Sequence, residues 1–242
     1  MSKYKIFLAI PYKYNTEPET RDCIRDKINI KNNTYDYVHI SERRGSPNVY
    51  AQRHNTAVDF LATDCDYYLY FDSDQTVIYP DNFLEMLIHD NKDIISPLIV
   101  RTIFPFTPAC ISFERQTCIE KGTDRIEDFR DKRIYPQDRP FKVYYSCGGI
   151  VLIKREVLEK VDKPFLPIYN ERTGNLLSTE LGLYTKAKKL GYECWIEPRI
   201  KAGHIGKFIF MIDDYYTLID TKTLRIENGR QVAGGEGVKD NV

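Results

Sequence analysis

Two aspartates separated by a single residue come directly after an apolar run in the first third of the chain. Asp72-Ser73-Asp74 follows the run 66–71, whose composition is typical of a buried strand. Because residues i and i+2 of a strand project to the same side, the two carboxylates are expected to face one point. Two close negative charges favour a hard cation, and Mg²⁺ or Mn²⁺ prefers carboxylate oxygens together with substrate phosphates. The triplet therefore predicts a site for a metal and a phosphate, against the alternative of a solvated turn.

A histidine with glycines on both sides is the second candidate ligand. His204 lies between Gly203 and Gly206, and glycines permit a close approach of the backbone to a ligand. Imidazole is a good ligand for ions such as Mn²⁺, so His204, Asp72, Asp74 and a diphosphate would complete an octahedral shell. The alternative is a hydrogen-bonded histidine in a loop.

Glu180 stands in the first turn of a helix that the sequence predicts over 179–190. A carboxylate at this position is a candidate general base for an acceptor hydroxyl. The alternative is that an acid in the first turn complements the helix dipole.

Two glycines and an arginine complete the set of candidate site residues. Gly148 and Gly149 lie at a break between apolar segments, where they bring backbone amides against a ligand or form a simple tight turn. Arg53 lies on the core-facing side of a predicted helix and therefore requires a partner. That partner is a diphosphate oxygen or, alternatively, the carboxylate of Asp59 or Asp64.

The composition limits the class of protein. A chain of 242 residues with 42% hydrophobic residues is long enough for one packed domain. Its 35 basic and 35 acidic side chains give no electrostatic footprint for nucleic acid. The six cysteines form no CxxC pair, so reduced thiols are expected. The amino terminus shows no signal peptide and no segment is apolar over a membrane-spanning length, which together predict a cytoplasmic protein without a transmembrane segment.

Apolar runs alternate with amphipathic stretches, which predicts an α/β fold with a mostly parallel central sheet flanked by helices. The stretch 104–141 is charged and is predicted to be a surface excursion, and 229–242 is predicted to be a flexible tail. Strands are predicted at 5–10, 37–40, 67–71, 94–98, 143–146, 150–153 and 192–196, and helices after 46, after 80, at 155–161 and at 179–190 with Gly191 closing the last.

The order of these motifs resembles that of the GT-A glycosyltransferases, especially small members similar to family 2. The resemblance covers roughly residues 4 to 207, and the ordered series is far more specific than any single motif. The matching segments are Phe7-Leu8-Ala9-Ile10-Pro11, Gln52-Arg53-His54-Asn55-Thr56-Ala57-Val58, Tyr70-Phe71-Asp72-Ser73-Asp74, Gly148 through Arg155, Glu180 through Trp195, and Gly203-His204.

The resemblance implies a Rossmann-like GT-A domain over 1–228, with a nucleotide-binding half to about residue 100 and an acceptor half from about 101. It implies transfer of a sugar from a UDP- or GDP-sugar to an acceptor, which can be a glycan, a lipid, a protein or a modified base. Asp72, Asp74 and His204 would hold Mn²⁺ or Mg²⁺ on the donor diphosphate, with Ser73 in the same motif.

By the same resemblance, the strand ends near Pro11 and Glu42 would contact the nucleoside, and Gly148 and Gly149 would line the sugar and acceptor side. One departure from the family pattern concerns Glu180, because the family usually has Glu-Asp at this point whereas Leu181 follows here. Glu180 is then the base by itself, or a retaining reaction needs no such base.

Two other classes of protein remain as alternatives. A nucleotidyltransferase of related architecture also binds a nucleotide and a metal, but that class usually has a glycine-rich loop after the first strand and residues 11–15 contain no glycine. A sugar- or nucleotide-binding module would keep the pocket without turnover.

Overall fold

The structure is a computed structural model that describes residues 3–12, 15–28, 34–44, 49–102, 108–111, 135–170, 175–176, 178–206, 209–215, 224–227 and 230–233. Its strands are β1 (Tyr4–Tyr12), β2 (Tyr35–Arg44), β3 (Tyr67–Phe71), β4 (Gln75–Tyr79), β5 (Ile94–Pro97), β6 (Phe141–Val143), β7 (Ile150–Lys154), β8 (Tyr169–Asn170), β9 (Asn175–Leu176), β10 (Cys194–Glu197), β11 (Lys201–Ile205), β12 (Ile209–Phe210), β13 (Leu224–Glu227) and β14 (Arg230–Ala233). Its helices are α1 (Pro18–Cys23), α2 (Val49–Leu61), α3 (Phe83–His89), α4 (Arg155–Lys160) and α5 (Thr179–Lys189), and the π-helical segment Ile24–Ile28 continues α1.

A seven-stranded sheet in the order β2-β1-β3-β7-β5-β10-β6 forms the centre of the molecule. β2, β1 and β3 are parallel, and β10 is parallel to β5. β7 is antiparallel to both of its neighbours, and β6 is antiparallel to β10. Five strands therefore run in one direction and two in the other. This mixed α/β architecture is compatible with a Rossmann-like fold in a single domain.

Aromatic packing fixes helix α2 on the sheet. The rings of Phe7 and Phe60 have centroids 5.7 Å apart, and Phe60 and Tyr68 have centroids 5.4 Å apart. The hydroxyl groups of Tyr68 and Thr56 lie 2.8 Å apart and form a buried hydrogen bond. β1 and β3 are almost wholly buried because their apolar runs leave no polar face for solvent. This packing fixes the position of Arg53, which precedes Thr56 by about one helical turn.

A second, three-stranded antiparallel sheet in the order β12-β11-β4 lies after the acidic turn. Neither β4 nor β11 is predicted from the sequence, because each is short and pairs with a strand that is distant along the chain. Their register places His204 opposite Gln75. His204 is therefore a strand residue rather than the loop residue of the alternative interpretation.

Most predicted elements of the central layer are confirmed with shifts of a few residues. Helix α5 begins after Ser178, whose Oγ accepts from the Leu181 backbone N–H at 3.4 Å, and Gly191 follows it with a φ of +89°. The described part of the chain contains no helix with both the length and the apolar composition needed to cross a bilayer.

Two sequence predictions fall largely outside the described residues. The predicted helix start at 46–48 and most of the excursion at 104–141 are not described. In the predicted tail, β14 pairs with β13 in an antiparallel hairpin, and the other residues of 229–242 lie outside the described part.

Candidate functional site

The acidic triplet forms a turn between β3 and β4 at the carboxyl end of β3. The backbone N–H of Asp72 donates to the Gly149 carbonyl at 2.7 Å, and the Ser73 carbonyl accepts from the Glu17 N–H at 2.9 Å and from Thr20 Oγ1 at 3.1 Å. The two carboxylates have different partners, since Asp72 contacts Arg53 and Tyr70 whereas Asp74 contacts His204. That both face one point stays a prediction.

Arg53 is the centre of a buried charge cluster, which we call the Arg53 cluster and which contains Arg53, Asp72 and Glu180. Its Nε–H donates to Tyr70 Oη at 2.6 Å, and its Nη2 lies 3.4 Å from Asp72 Oδ2. Its Nη1 forms an ion pair with Glu180 Oε1. The Arg53 side chain is only 5% exposed. The predicted alternative partners, Asp59 and Asp64, are not its ion-pair partners among the described residues.

Burial and the charge of Arg53 shift the pKa values of the two carboxyl groups in this cluster. Burial raises the pKa of Asp72 to about 6, while the Arg53 charge and the hydrogen bond from Tyr70 Oη at 2.5 Å act in the opposite direction. For Glu180 the outcome is reversed. Burial favours a higher pKa, but the Arg53 ion pair outweighs it and lowers the pKa below its ordinary value. Glu180 is therefore ionised at neutral pH.

Beside the Arg53 cluster, the side chains of Asp74 and His204 contact each other. His204 Nε2 lies 3.3 Å from Asp74 Oδ2, and Nδ1–H donates to the Val100 carbonyl at 2.9 Å. Burial would lower the pKa of His204, but the hydrogen bonds with Asp74 and Val100 outweigh it and raise the pKa. The backbone of β11 supports this contact, because the Ile205 N–H donates to the Asp74 carbonyl at 2.7 Å. The Asp74 side chain is 46% exposed and has oxygen lone pairs available towards solvent.

The two glycines lie against side chains of the site. A Cβ on Gly148 would be 2.7 Å from Glu180 Cγ, and a Cβ on Gly149 would be 2.7 Å from Gln75 Cδ. Real Cβ atoms do not approach other atoms so closely, so a larger residue at either position would displace Glu180 or Gln75. The glycines are thus required for the packing of the site, and their predicted contact with a ligand stays a prediction.

Pro11 lies on β1, the neighbour of β3, and Glu42 lies on β2, the next strand beyond β1, each near the carboxyl end of its strand. Pro11 is buried in β1, and Glu42 is exposed on β2 opposite Ile10. Among the described residues, none of the hydrogen bonds and ion pairs of Arg53, Asp72 or Asp74 involves Pro11 or Glu42. The nucleoside contact proposed for this edge stays a prediction.

The arrangement of these residues limits how a metal can bind. Within the described ranges, no group of three His, Cys, Asp or Glu residues is arranged so as to hold an ion. Asp74 and His204 are already together, whereas the Asp72 carboxylate is turned towards Arg53 and Tyr70. Carboxylate and imidazole nevertheless form a donor set that fits Mn²⁺ or Mg²⁺. An ion at the Asp74 and His204 pair would take its further ligands from Asp72 or from a substrate.

Sequence reasoning missed three members of the site. Tyr70 was detectable, since it lies two residues before Asp72 on a strand and therefore projects to the same side. Thr179 donates from its Oγ1 to Glu180 Oε2 at 3.0 Å and lies 2.5 Å from Arg53 Nη1, and no pattern marked it. Gln75 depends on the register of β4 with β11, which is not visible in the sequence.

A small cavity next to the cluster is too narrow for a substrate. Its volume is about 10 Å³, and its walls include Arg53, Tyr70, Gly148, Phe165 and Glu180. A volume of this size holds at most one water molecule. A substrate would therefore contact the outer side of the site, where Asp74 is half-exposed.

The chain is similar in fold to solved structures but has no match among protein families or curated sequences. A crystal structure of A197 from STIV, a viral protein, is 18% identical with a TM-score of 0.52, and the match covers 84% of this chain and 86% of that chain. A crystal structure of GalNAc-T7 with UDP, GalNAc and Mn²⁺ is 11% identical with a TM-score of 0.50, and the match covers 84% of this chain and 43% of that chain.

The chain thus spans less than half the length of the GalNAc-T7 structure. At these identities the similarity shows the fold alone. The fold is one that a glycosyltransferase also has.

Proposed function

We propose that this protein is a metal-dependent glycosyltransferase of the GT-A type, which moves a sugar from a nucleoside-diphosphate donor to an acceptor hydroxyl. The observation that carries the proposal is the acidic turn at the carboxyl end of β3, which has Asp74 against His204 on one side and the ionised Glu180 near the other. Ligands of open α/β sheets bind at this edge. The likeness in fold to GalNAc-T7, a structure with UDP, GalNAc and Mn²⁺, supports this class of donor and metal.

Asp74 and His204 are the residues that would hold Mn²⁺ or Mg²⁺. The Nδ1–H of His204 donates to Val100, so in the neutral ring Nε2 carries the free lone pair and faces Asp74. Asp72 would complete the set, with Ser73 keeping the turn attached to α1. A bound cation would neutralise negative charge that develops on the leaving diphosphate.

Glu180 is the proposed general base for the acceptor hydroxyl. Its Oε1 is paired with Arg53, so the proton would be taken up by Oε2, which accepts a hydrogen bond from Thr179 Oγ1. Arg53 holds Glu180 and Asp72 in place at the same time. Pro11 and Glu42 would lie near the nucleoside, and Gly148 and Gly149 near the sugar and the acceptor.

The second candidate function is a module that binds a nucleotide or a sugar without turnover. The specific observation in its favour is the Arg53 ion pair, which lowers the pKa of Glu180 and makes it a weaker base. A retaining reaction, which needs no such base, is compatible with the same observation.

The test is incubation of the purified protein with UDP- and GDP-sugars in the presence of Mn²⁺ or Mg²⁺. We expect release of the free nucleotide by hydrolysis or transfer with at least one donor, and loss of that release with EDTA. Nucleotide binding without any release would favour the binding module. Release of pyrophosphate from a nucleoside triphosphate would favour a nucleotidyltransferase. The absence of both nucleotide binding and nucleotide release would overturn the proposal. A panel of glycan, lipid, protein and modified-base acceptors then identifies the acceptor class.

A further inference from the structure

Gln75 has a buried side-chain oxygen that lacks a partner. The residue directly follows the acidic triplet, begins β4 and is 1% exposed. Its backbone is satisfied, because its N–H donates to the Asp72 carbonyl at 3.2 Å and its carbonyl accepts from Thr20 Oγ1 at 2.6 Å. Its Oε1 is buried and has no hydrogen-bond partner among the residues that the structure describes. Buried polar atoms in folded proteins are nearly always paired, so this oxygen requires an explanation.

The surroundings of the Gln75 carboxamide place it inside the candidate site. The side chain packs directly on Gly149, where a Cβ would lie 2.7 Å from Cδ and 2.9 Å from Nε2. The carbonyl of the same glycine accepts from the Asp72 N–H. Gln75 is also the register partner of His204 in the antiparallel pair β4 and β11, and directly opposed residues project to the same face. Gln75 therefore belongs to the same side of the small sheet as His204.

The neighbours of Gln75 indicate which part of a donor it would bind. Asp74 and His204 lie on one side and would hold the diphosphate through the metal. Gly149 is adjacent to Gly148, against which Glu180 packs, and Glu180 would face the acceptor. The transferred sugar has to lie between the leaving diphosphate and the attacking acceptor. Gln75 has a connection to each of these groups, as the register partner of His204 and through its packing on Gly149, the neighbour of Gly148.

The chemistry of the orphan atom agrees with a sugar hydroxyl. A carboxamide oxygen only accepts, and an ionised phosphate has no proton to donate, whereas a hydroxyl both donates and accepts. If the amide were turned by 180°, the buried atom would be an NH₂ group, and a hydroxyl would still serve as its acceptor.

We propose that Gln75 is a specificity-determining residue whose carboxamide, which is buried in the protein without a ligand, turns towards the donor sugar on binding and forms a hydrogen bond with one of its hydroxyl groups. This assignment rests on the proposed function. It adds a residue that discriminates a nucleotide-sugar from the bare nucleotide. A site that hydrogen-bonds a substrate hydroxyl rejects analogues that lack the group, because its buried polar atom then stays unpaired.

The experiment compares binding of nucleotide-sugars with binding of nucleotides alone. Gln75→Met keeps the length of the side chain and removes both hydrogen-bonding atoms. Calorimetric titrations with Mn²⁺ would use UDP-glucose, UDP-GalNAc and GDP-mannose, each against UDP or GDP. For the sugar that the unaltered protein prefers, we expect Gln75→Met to weaken the nucleotide-sugar about tenfold, the loss of one hydrogen bond to a buried group, and the bare nucleotide less than about twofold.

A matched control and a melting curve separate this role from a structural one. Thr76→Val alters the next residue of β4, whose Oγ1 faces the Glu19 carbonyl at 3.5 Å, and should leave both affinities unchanged. Without ligand, Gln75→Met should melt at the same temperature or higher, because a buried unpaired atom is removed.

Three results would overturn the Gln75 assignment. Equal losses for nucleotide and nucleotide-sugar would assign Gln75 to the metal or the diphosphate. Unchanged affinities would mean that the orphan oxygen binds only water, and a lower melting temperature with losses for both ligands would mean a role in folding. Failure of the unaltered protein to bind any nucleotide would instead overturn the proposed function, and the assignment with it.

Discussion

Two clusters of carboxylates surround an arginine in this molecule, and they are built in opposite ways. In the Arg53 cluster the arginine is buried, at 5% exposure, while Asp72 and Glu180 are each 27% exposed. The second cluster contains Asp90, Glu197 and Arg199, and we call it the Arg199 cluster. There the arginine is 42% exposed and Glu197 is completely buried. In the Arg199 cluster the arginine covers the buried Glu197, whereas in the Arg53 cluster Asp72 and Glu180 lie closer to solvent than the arginine.

The difference determines what each cluster is able to do. Both oxygens of Glu197 are engaged by Arg199, with Nε donating to Oε1 at 2.8 Å and Nη2 paired with Oε2. Glu197 therefore has no surface to offer to a ligand, and the cluster joins β10 to the end of α3. In the Arg53 cluster, Glu180 and Asp72 keep part of their surface towards solvent, and Asp74 lies beside them with greater exposure. A buried arginine with outward acids is an arrangement that can serve a substrate.

The largest effect should come from Asp74, the most exposed acid of the site. Asp74→Ala removes the carboxylate that lies against His204, so we expect it to abolish Mn²⁺-dependent binding of UDP or GDP. Because the side chain is half-exposed, the free energy of unfolding should change by less than about 0.5 kcal/mol. Titration calorimetry with and without Mn²⁺ checks the first expectation, and urea denaturation checks the second.

The control for Asp74 is Asp90→Asn in the Arg199 cluster. It also removes a carboxyl group, but at a place without access for a nucleotide, and should leave binding intact. Unchanged Mn²⁺ dependence in Asp74→Ala would exclude Asp74 as a ligand of the metal and would weaken the contrast between the two clusters.

Next in size is the effect on turnover of replacing Glu180, compared with Glu197. Glu180→Gln keeps the shape of the side chain and removes its basicity, so turnover should fall about 10²- to 10⁴-fold, with the affinity for the donor retained. Glu197→Gln should leave turnover unchanged and lower the stability. Steady-state kinetics with a donor found in the panel assay measure both. Near-normal turnover in Glu180→Gln would exclude it as the base and favour a retaining reaction.

Replacement of either arginine should lower the stability, but only replacement of Arg53 should also weaken ligand binding. Arg53→Met leaves Asp72 and Glu180 without their cation, and removal of one partner of a buried ion pair costs about 3–5 kcal/mol of stability. Arg199→Met strands the buried Glu197 and should cost a similar amount. Only Arg53→Met should also weaken binding of the nucleotide-sugar, because the partners of Arg53, Asp72 and Glu180, are partly exposed to solvent, whereas Glu197 is buried.

Urea denaturation together with donor titration distinguishes these outcomes. Arg53→Lys, which keeps the charge, should recover part of both losses and shows whether an unfolded protein explains the binding defect. Equal binding losses in the Arg53 and Arg199 variants would contradict the division into a functional and a structural cluster.

The sequence predicts those parts of the fold and the site that depend on local pattern. The apolar runs of β1 and β3, the helix α5 with Gly191 after it, and the acidic turn at the end of β3 were all recognisable, because each is encoded by neighbouring residues. The composition of these segments fixes their burial without reference to distant strands.

Contacts between distant segments could not be predicted in the same way. The pairing of β4 with β11 joins strands about 125 residues apart, and it decides that Gln75 lies opposite His204. The partners of Asp72 and Asp74 likewise come from distant parts of the chain, at Arg53 and at His204. Periodicity describes which face a residue takes within one element, and these features depend on how two elements meet.

The smallest expected effect concerns the pH dependence of the Arg199 cluster. Burial, followed by the hydrogen bond and charge of Glu197, raises the pKa of Asp90 to about 7. Since this value lies above the ordinary 3.8, the folded protein keeps a proton that the unfolded chain has lost. The stability that this proton provides is present at low pH and is lost as the pH rises towards about 7.

Asp90→Asn supplies an amide donor to Glu197 at every pH and removes the titrating group. The difference in melting temperature between Asp90→Asn and the unaltered protein should therefore grow from pH 5 to pH 8, by roughly 2–4 °C for a change of about 1 kcal/mol. Melting curves at several pH values measure this difference. Because Glu197 is sealed from solvent, the shift should be the same with and without nucleotide and Mn²⁺. A shift that disappears on ligand binding would mean that the two clusters are coupled, and parallel curves for the two proteins would mean that Asp90 holds no proton.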